Sequence, residues 1–398
     1  MKLSKLMSRL GTESAFEMLA KAKALEAQGK KIVHLEIGEP DFDTPLNIRE
    51  RGKKAIDEGW THYCPASGIK EARAAVAEYV AKTRGIPVAP EEVVMAPGAK
   101  PVIVFTILAL ADPGDEVIVP NPTYPIYESA TCFAGAKVVP LALREENGFD
   151  LDLGELADAL NSKTRILVLN SPANPTGGVV AEATFEKLAR LLKRFPQVVV
   201  LSDEIYSRII YEGEHRSIAQ FPGMRERTVI IDGMSKTYAM TGWRLGYAVA
   251  PKELAQAFDK LAINTYSCTA SMVQMAGIEA LVGPQEDIAK MVAEFRRRRE
   301  VIIKGLTSIP GVTCTMPKAA FYAFPNVKAL GVKKVKELAD FILHDANVSC
   351  LPGTAFGCFG EGYLRFSYAN SVENINEAIR RIKEALPRLK SKVPAAKG

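Results

Sequence analysis

Between about residues 46 and 283, short apolar runs alternate with longer segments of helical pattern. This alternation predicts a largely parallel β-sheet whose strands are joined by crossover helices. Five of the apolar runs end in small, polar or aromatic residues, and they lie at residues 93–95, 117–119, 166–169, 198–201 and 229–231. Ligands of open parallel sheets bind at the carboxyl ends of the strands, so we expect these five ends to build one site.

The last of the five runs is followed by Lys236 and, eight residues later, by Arg244. A lysine at the end of a buried strand can lose its charge by desolvation and become an amine nucleophile toward carbonyls. The arginine is a permanent cation suited to a phosphate. Together they indicate pyridoxal 5'-phosphate, an aldehyde that carries a phosphate. Most lysines are solvated surface charges, so this interpretation depends on the other motifs.

Asp203 follows the apolar run at residues 198–201. Pyridoxal phosphate requires a carboxylate against its pyridine nitrogen, because the protonated ring is the electron sink. A helix N-cap is an equally good interpretation, since a strand-Ser-Asp-helix junction often has one.

Two further strand ends carry loops rich in Asn, Pro and Gly. Asn174 lies in the loop at residues 170–178, which is either a plain turn or a rigid support that directs the amide at a ring substituent. The Asn174-Pro175 and Asn121-Pro122 bonds are candidates for the cis isomer. Gly98 and Ala99 precede a helix and indicate a phosphate loop, and Tyr124 offers an aromatic face.

In combination these motifs resemble the class I/II aminotransferases of pyridoxal phosphate fold type I, over about residues 35–385. The residues that carry the resemblance lie, in the family's order, at 37–45, 63, 174–177, 203–206, 235–247 and 364–367. The resemblance implies an α/β fold with a large cofactor-binding domain, at residues 46–283, built on a mostly parallel seven-stranded sheet flanked by helices. Residues 1–45 and 284–398 are expected to form a smaller, discontinuous α+β domain.

The resemblance also implies roles for single residues. Lys236 would form the Schiff base with the cofactor and carry the proton, Asp203 would bind the ring nitrogen, and Tyr124 would stack on the ring. Asn174 and Tyr206 would bind the phenolic oxygen of the cofactor. The expected phosphate contacts are Gly98, Ala99, Ser235 and Arg244, with Lys100 beside them and Tyr63 supplied by the neighbouring subunit of a homodimer. Many relatives have a serine where this chain has Gly233, which leaves the phosphate one hydroxyl fewer.

For the substrates, the resemblance implies an amino acid and a 2-oxo acid, with Arg365 binding the α-carboxylate together with the Gly38 backbone and Asn174. Lys100 is the candidate contact for a second, side-chain carboxylate, which makes the donor aspartate-like. An ordinary first-turn helix residue is an equally good interpretation of Lys100, and Glu13 argues against an acidic substrate. The resemblance therefore implies transamination by a ping-pong mechanism, with 2-oxoglutarate and glutamate as the second pair.

Two alternatives keep the same site: a C-S β-lyase, and an aminotransferase for aromatic amino acids or alanine. A pyridoxal phosphate-sensing regulator would need a DNA-binding domain ahead of the fold, and the residues before Gly38 are too few for one. The net charge of +5 over 398 residues is small, and the basic run at residues 296–299 has acidic neighbours, which argues against nucleic acid.

The six cysteines are scattered, and the four histidines show no metal-ligand spacing. No apolar stretch reaches membrane-spanning length. We therefore expect a cytoplasmic protein without a metal site.

Overall fold

The computed structural model describes residues 1–11 and 14–389 as an α/β fold. Its strands are β1 (Val33–His34), β2 (Val93–Ala96), β3 (Glu116–Asn121), β4 (Lys137–Ala142), β5 (Thr164–Asn170), β6 (Val199–Asp203), β7 (Thr228–Gly233), β8 (Gly246–Val249), β9 (Tyr322–Ala323), β10 (Val348–Ser349), β11 (Leu351–Pro352) and β12 (Leu364–Ser367). Its helices are α1 (Ser14–Glu26), α2 (Leu46–Asp57), α3 (Lys70–Arg84), α4 (Lys100–Leu110), α5 (Ile126–Ala134), α6 (Leu153–Ala159), α7 (Glu182–Leu192), α8 (Met234–Thr237), α9 (Lys252–Thr265), α10 (Ser271–Val282), α11 (Glu286–Thr307), α12 (Val335–Phe341) and α13 (Val372–Ala385).

The central sheet has seven strands in the order β2-β8-β7-β6-β5-β3-β4. Only β8 runs antiparallel to its neighbours, and the other six strands point the same way. The predicted mostly parallel, seven-stranded sheet is confirmed. The five strand ends predicted to meet therefore lie at one edge.

Both faces of the sheet are buried, which explains why its strands read as continuous apolar runs. In β5, Ile166 and Val168 pack into one core while Leu167 and Leu169 pack into another. Strand residues alternate between faces, so each run supplies both cores at once. The helices that cover the faces complete the layers and fix the sheet edge that carries the polar side chains.

A second group of elements joins both ends of the chain. β1 pairs in parallel with β10, so that Val33 lies opposite Val348. A separate antiparallel sheet has the order β11-β12-β9. The pairing in this part of the chain is short, since Thr313 forms an isolated antiparallel bridge with Asn326 and β9 has two residues. The division of the chain at residues 46 and 283 stays a prediction.

No helix within residues 1–11 and 14–389 combines the length and the apolar character that crossing a membrane requires.

Candidate active site

A cavity of about 460 Å³ opens at the carboxyl edge of the central sheet. It falls within the usual volume of small-molecule and cofactor sites. Eleven of the predicted site residues line it: Gly38, Ala99, Lys100, Tyr124, Asn174, Asp203, Tyr206, Ser235, Lys236, Arg244 and Arg365. Residues from both ends of the chain and from five strand ends thus meet at one place.

Lys236 lies in α8, the short helix that follows β7 directly. Its amine is partly buried, and Nζ donates a hydrogen bond to the carbonyl oxygen of Gly38 at 2.6 Å. Gly38 belongs to the segment that leads from β1 toward α2. The predicted nucleophile therefore faces the predicted substrate-binding backbone across the cavity.

Asp203 is the last residue of β6, and its carboxylate is buried. The Tyr127 hydroxyl donates to Oδ2 at 2.7 Å, and the Ile205 amide donates to Oδ1 at 3.2 Å. Burial raises the pKa of the Asp203 carboxyl to about 6, although these two donors oppose the shift. Turns follow Asp203 instead of a helix, so the helix N-cap interpretation is wrong.

The predicted phosphate contacts gather where β2 and β7 end. Gly98 has a left-handed φ of +93°, and the Arg244 guanidinium lies where a side chain of residue 98 would be. Arg244 is exposed and donates through Nη1 to the carbonyl oxygen of Thr241 at 2.8 Å. Ser235, in the first turn of α8, is buried at the cavity wall.

The structure gives a packing reason for Gly233. A Cβ at this position would lie 2.8 Å from the Gly246 Cα and 3.0 Å from the Leu245 carbonyl oxygen. Gly246 in turn packs against the predicted phosphate loop, since a Cβ there would lie 2.6 Å from the Ala99 nitrogen. The backbones of β7, β8 and the loop are thus packed so closely that only glycine fits at both positions.

Arg365 is buried in β12 and is directed into the cavity. Its Nη1 donates to the Asn174 Oδ1 at 3.3 Å, and Nη2 donates to the carbonyl oxygen of Glu36. The guanidinium lies 4.6 Å from the centroid of the Tyr322 ring and 5.0 Å from that of Phe356. Its Nε has no hydrogen-bond partner, and burial lowers the pKa of the guanidinium.

Within the described part of the chain, Arg365 has no ion pair with a carboxylate. A buried cation without such a partner is able to bind the carboxylate of a ligand.

Tyr206 and Tyr322 form a buried pair of hydroxyl groups, with 2.7 Å between their oxygen atoms. Burial raises the pKa of both hydroxyls. The sequence predicted Tyr206 as a site residue and gave Tyr322 no role in the site. Tyr127 was missed altogether, because an aromatic residue in a helix looks the same whether its hydroxyl meets a carboxylate or water.

Lys100 is the first residue of α4, and its Nζ lies 5.7 Å from the centroid of the Tyr124 ring. Tyr124 also meets Tyr127 edge to face, with 6.0 Å between ring centroids. The first turn of α1, with Ser14 and Phe16, also lines the cavity. Glu13, the residue that argued against an acidic substrate, lies outside the described residues.

Two predicted residues do not line the cavity. Gly98 lies behind it, against Arg244. Tyr63 is 90 % exposed and borders a separate groove with Thr61, Cys268 and Met272. Tyr63 thus lies outside the cavity.

Comparisons with known proteins agree with this geometry. The family model described as aminotransferase class I and II matches residues 30–382. The aspartate aminotransferase of Pyrococcus horikoshii is 41% identical over 368 residues, which cover 92% of this chain and 92% of that protein. The aromatic-amino-acid aminotransferase 2 of Thermococcus litoralis is 39% identical, over 89% of this chain and 92% of that protein.

Among solved structures, the aspartate aminotransferase from Rhizobium meliloti superimposes with a TM-score of 0.94 at 35% identity. The match covers 98% of this chain and 99% of that one.

Proposed function

Because this chain belongs to the class I and II aminotransferase family, it is a pyridoxal 5'-phosphate-dependent aminotransferase, and we propose that it uses an aspartate-like donor with 2-oxoglutarate as acceptor. In the proposed ping-pong cycle, the donor leaves as its 2-oxo acid before the acceptor binds. The observation that carries the proposal is Arg365, a buried cation without a carboxylate partner, in the cavity that also holds Lys236 and Asp203.

The residues around the cavity fit pyridoxal phosphate. When bound, the cofactor supplies an aldehyde that joins covalently to Lys236 and a ring that accepts electrons. Asp203 would hold the proton at the ring nitrogen, and the Tyr127 hydroxyl fixes its carboxylate. The proposed phosphate contacts are Gly98, Ala99, Ser235 and Arg244, and Lys100 lies beside them. Tyr124 would cover one face of the ring, while Asn174 and Tyr206 would bind its phenolic oxygen.

Arg365 binds the α-carboxylate of either substrate, assisted by Asn174 and the Gly38 backbone. This places the α-carbon next to the Lys236 amine, which moves a proton to and from that carbon. The buried rings of Tyr322 and Phe356 exclude water around the guanidinium and so strengthen its attraction for the carboxylate.

Lys100 is the proposed contact for the second carboxylate of an acidic donor. Lys100 lines the cavity, and its ammonium lies 5.7 Å from the centroid of the Tyr124 ring. An aromatic side chain is the second candidate, because Ile37, Ile103 and Phe356 add apolar surface to the cavity.

The first experiment is the absorbance spectrum of the purified yellow holoenzyme as single amino acids are added without any 2-oxo acid. We expect aspartate and glutamate both to bleach the band of the cofactor bound to Lys236. If aspartate fails while aromatic or aliphatic donors succeed, the role of Lys100 is wrong. Lys236→Ala is the matched control, which should bind the cofactor non-covalently and show no turnover.

The same spectra separate transamination from C-S bond cleavage. A β-lyase would release pyruvate from cystine and keep its absorbance band, whereas an aminotransferase gives stoichiometric 2-oxo acid from its donor. Pyruvate release that is faster than transamination would identify the enzyme as a C-S β-lyase and contradict the proposal.

Arg365→Ala is expected to raise KM for every α-amino acid, because all donors share the carboxylate that Arg365 binds. The loss in kcat/KM should be about 30-fold or more, the usual range when one partner of a buried charge pair is removed. Lys100→Ala is the matched comparison and should affect acidic donors alone. An Arg365→Ala effect confined to one donor would contradict the assignment.

We also propose a homodimer in which Tyr63 reaches the phosphate of the partner's site, since its exposed ring lies outside the cavity of its own subunit. All six cysteines are free, which is typical of a reducing compartment, so we place the enzyme in the cytoplasm.

A further inference from the structure

Three acidic side chains lie buried at the ends of two neighbouring strands. Asp203 and Glu204 stand at the end of β6, and Asp232 lies near the end of β7, which pairs with β6. Each carboxylate taken out of water is costly unless it is paired and hydrogen-bonded. The function proposed above uses only Asp203, so the other two acids need an explanation.

Arg84 connects the two acids that the reaction does not use. It is the last residue of α3, and it is buried. Its Nε donates to the Glu204 Oε2 at 3.0 Å, and its Nη2 donates to the Asp232 Oδ2 at 2.6 Å. One rigid guanidinium therefore ties the end of β6 to the end of β7.

Both acids are also bound to the backbone and side chains around them. Glu204 accepts hydrogen bonds from the hydroxyls of Ser202 and Ser217 at 2.9 and 2.6 Å, and it contacts His215 at 2.8 Å. Burial raises the pKa of Glu204, but His215 and Arg84 outweigh it, and the pKa falls to about 2.

Asp232 accepts from the Ser207 hydroxyl at 3.0 Å and from the Gly233 amide at 2.7 Å. Through Gly233 this contact leads directly into α8, the helix that carries Lys236.

Glu204, Asp232 and Arg84 also affect the electrostatic environment of Asp203, the predicted partner of the ring nitrogen. Glu204 and Asp232 both raise the pKa of Asp203, while Arg84 lies between them as their shared cation. Tyr127 and Tyr206 face Asp203 as well. The groups that face Asp232 include Arg208, Tyr238 and Tyr247. Arg208 also forms a hydrogen bond with Tyr79.

We propose that Arg84 is a positioning residue that fixes Asp203 and Lys236 relative to each other and balances the two carboxylates behind them. It touches neither the cavity nor the reacting atoms. The proposal rests on the proposed function, because it is Asp203 and Lys236 whose placement matters.

The test compares Arg84→Met with Asp232→Asn in the purified holoenzyme. Its main readout is the pH midpoint at which the absorbance band of the bound cofactor changes. Removal of Arg84 leaves excess negative charge, which favours protonation, so the midpoint should rise by about half a pH unit or more. Asp232→Asn leaves excess positive charge, and the midpoint should fall. The kcat of Arg84→Met should drop on the order of 10-fold or more, because the reacting groups lose their placement.

Arg227→Met is the matched control. Arg227 precedes β7 and donates from Nε to the Val198 carbonyl oxygen at 2.8 Å and from Nη1 to that of Leu192 at 2.9 Å. It therefore braces the same two strands at their amino ends, away from the cavity. Its loss should lower the melting temperature and leave the midpoint at the wild-type value.

Opposite shifts in the two variants with none in the control support the proposal. Unchanged midpoints, or shifts of the same sign, overturn it. If Arg84→Met does not fold, Arg84→Lys replaces it; the charge is kept but the two-pronged contact is lost, so kcat should fall at an unchanged midpoint. An unchanged kcat would overturn the positioning role. Failure of the wild type to respond to any amino acid would instead refute the proposed function.

Discussion

Asp203 is the residue at which stability and activity conflict most directly. Its carboxylate lies in the core, where burial raises its pKa from 3.8 to about 6. A buried acid of this kind takes up a proton more readily in the folded than in the unfolded protein. Its contribution to the free energy of unfolding is therefore largest below pH 4 and is lost as the pH rises through 6. Binding of a cationic ring nitrogen offsets this loss.

We expect Asp203→Asn to stabilise the cofactor-free protein at pH 8 by on the order of 2 kcal/mol, because the cost of the buried charge disappears. The gain should shrink as the pH falls from 6 to 4, where the wild-type carboxyl is itself protonated. Urea unfolding of the two cofactor-free proteins across this pH range measures the difference. A gain that does not depend on pH would contradict the shifted pKa.

Asp287→Asn, at an exposed site on α11, is the control and should show no such pH dependence. With the cofactor added, the wild type should be more stable than Asp203→Asn, since the variant loses the proposed partner of the ring nitrogen.

Among single residues, the sequence identified polar ones that directly follow a continuous apolar run. Lys236 and Asp203 were found because each follows a continuous stretch of buried strand. Tyr127 and Tyr322 were not found, since their rings belong to the core and only the hydroxyls reach polar partners. Arg84 was missed for a different reason, because a lysine- and arginine-rich helix end is usually solvated.

At the scale of elements, the phosphate loop depends on how closely β8 approaches it. Gly246 opens β8, and the backbone of Gly98 and Ala99 lies directly against its Cα. Any side chain at residue 246 must displace the loop, because the atoms it meets belong to the backbone and cannot rotate away.

Gly246→Ala should therefore weaken cofactor binding and destabilise the protein by about 1–3 kcal/mol, the usual cost of overpacking. Titration of the cofactor-free protein with pyridoxal phosphate gives the first quantity, and thermal unfolding gives the second. Gly242→Ala is the matched control, since a Cβ at residue 242 meets nothing within 4 Å. Equal affinities for the two variants would show that the loop is not held by this contact.

The sequence predicted the buried strands of the sheet well and its other strands poorly. β4 is an edge strand with exposed Lys137 and Pro140, so its apolar pattern is weak. β8 has four residues and begins with glycine, which hid it inside the loop that follows Lys236. The two-residue strands β1 and β10 pair with each other from opposite ends of the chain, and no local pattern reveals them.

At the scale of the whole molecule, the proposed crossing of Tyr63 between subunits makes a test in mixed dimers possible. We expect a mixture of Tyr63→Ala and Lys236→Ala proteins to recover activity after the subunits exchange. A hybrid dimer contains one site with both native residues, so equal mixing should restore about one quarter of the sites.

Each variant alone is the control, with Lys236→Ala inactive and Tyr63→Ala impaired. If Tyr63 served the site of its own subunit, no hybrid site would be complete, and mixing would restore nothing. The assay also tests the homodimer itself, since monomers cannot complement each other.

The joining of the two chain ends has a consequence for synthesis on the ribosome. Arg365 and the Glu36 carbonyl that it binds are 329 positions apart in the chain. At about 5–20 residues per second, roughly 15–65 s pass between the emergence of the two. During that interval the central sheet can already close around Asp203 and Lys236, yet no carboxylate can be held in place. A nascent enzyme is thus unable to consume amino acids until its last strands have left the exit tunnel.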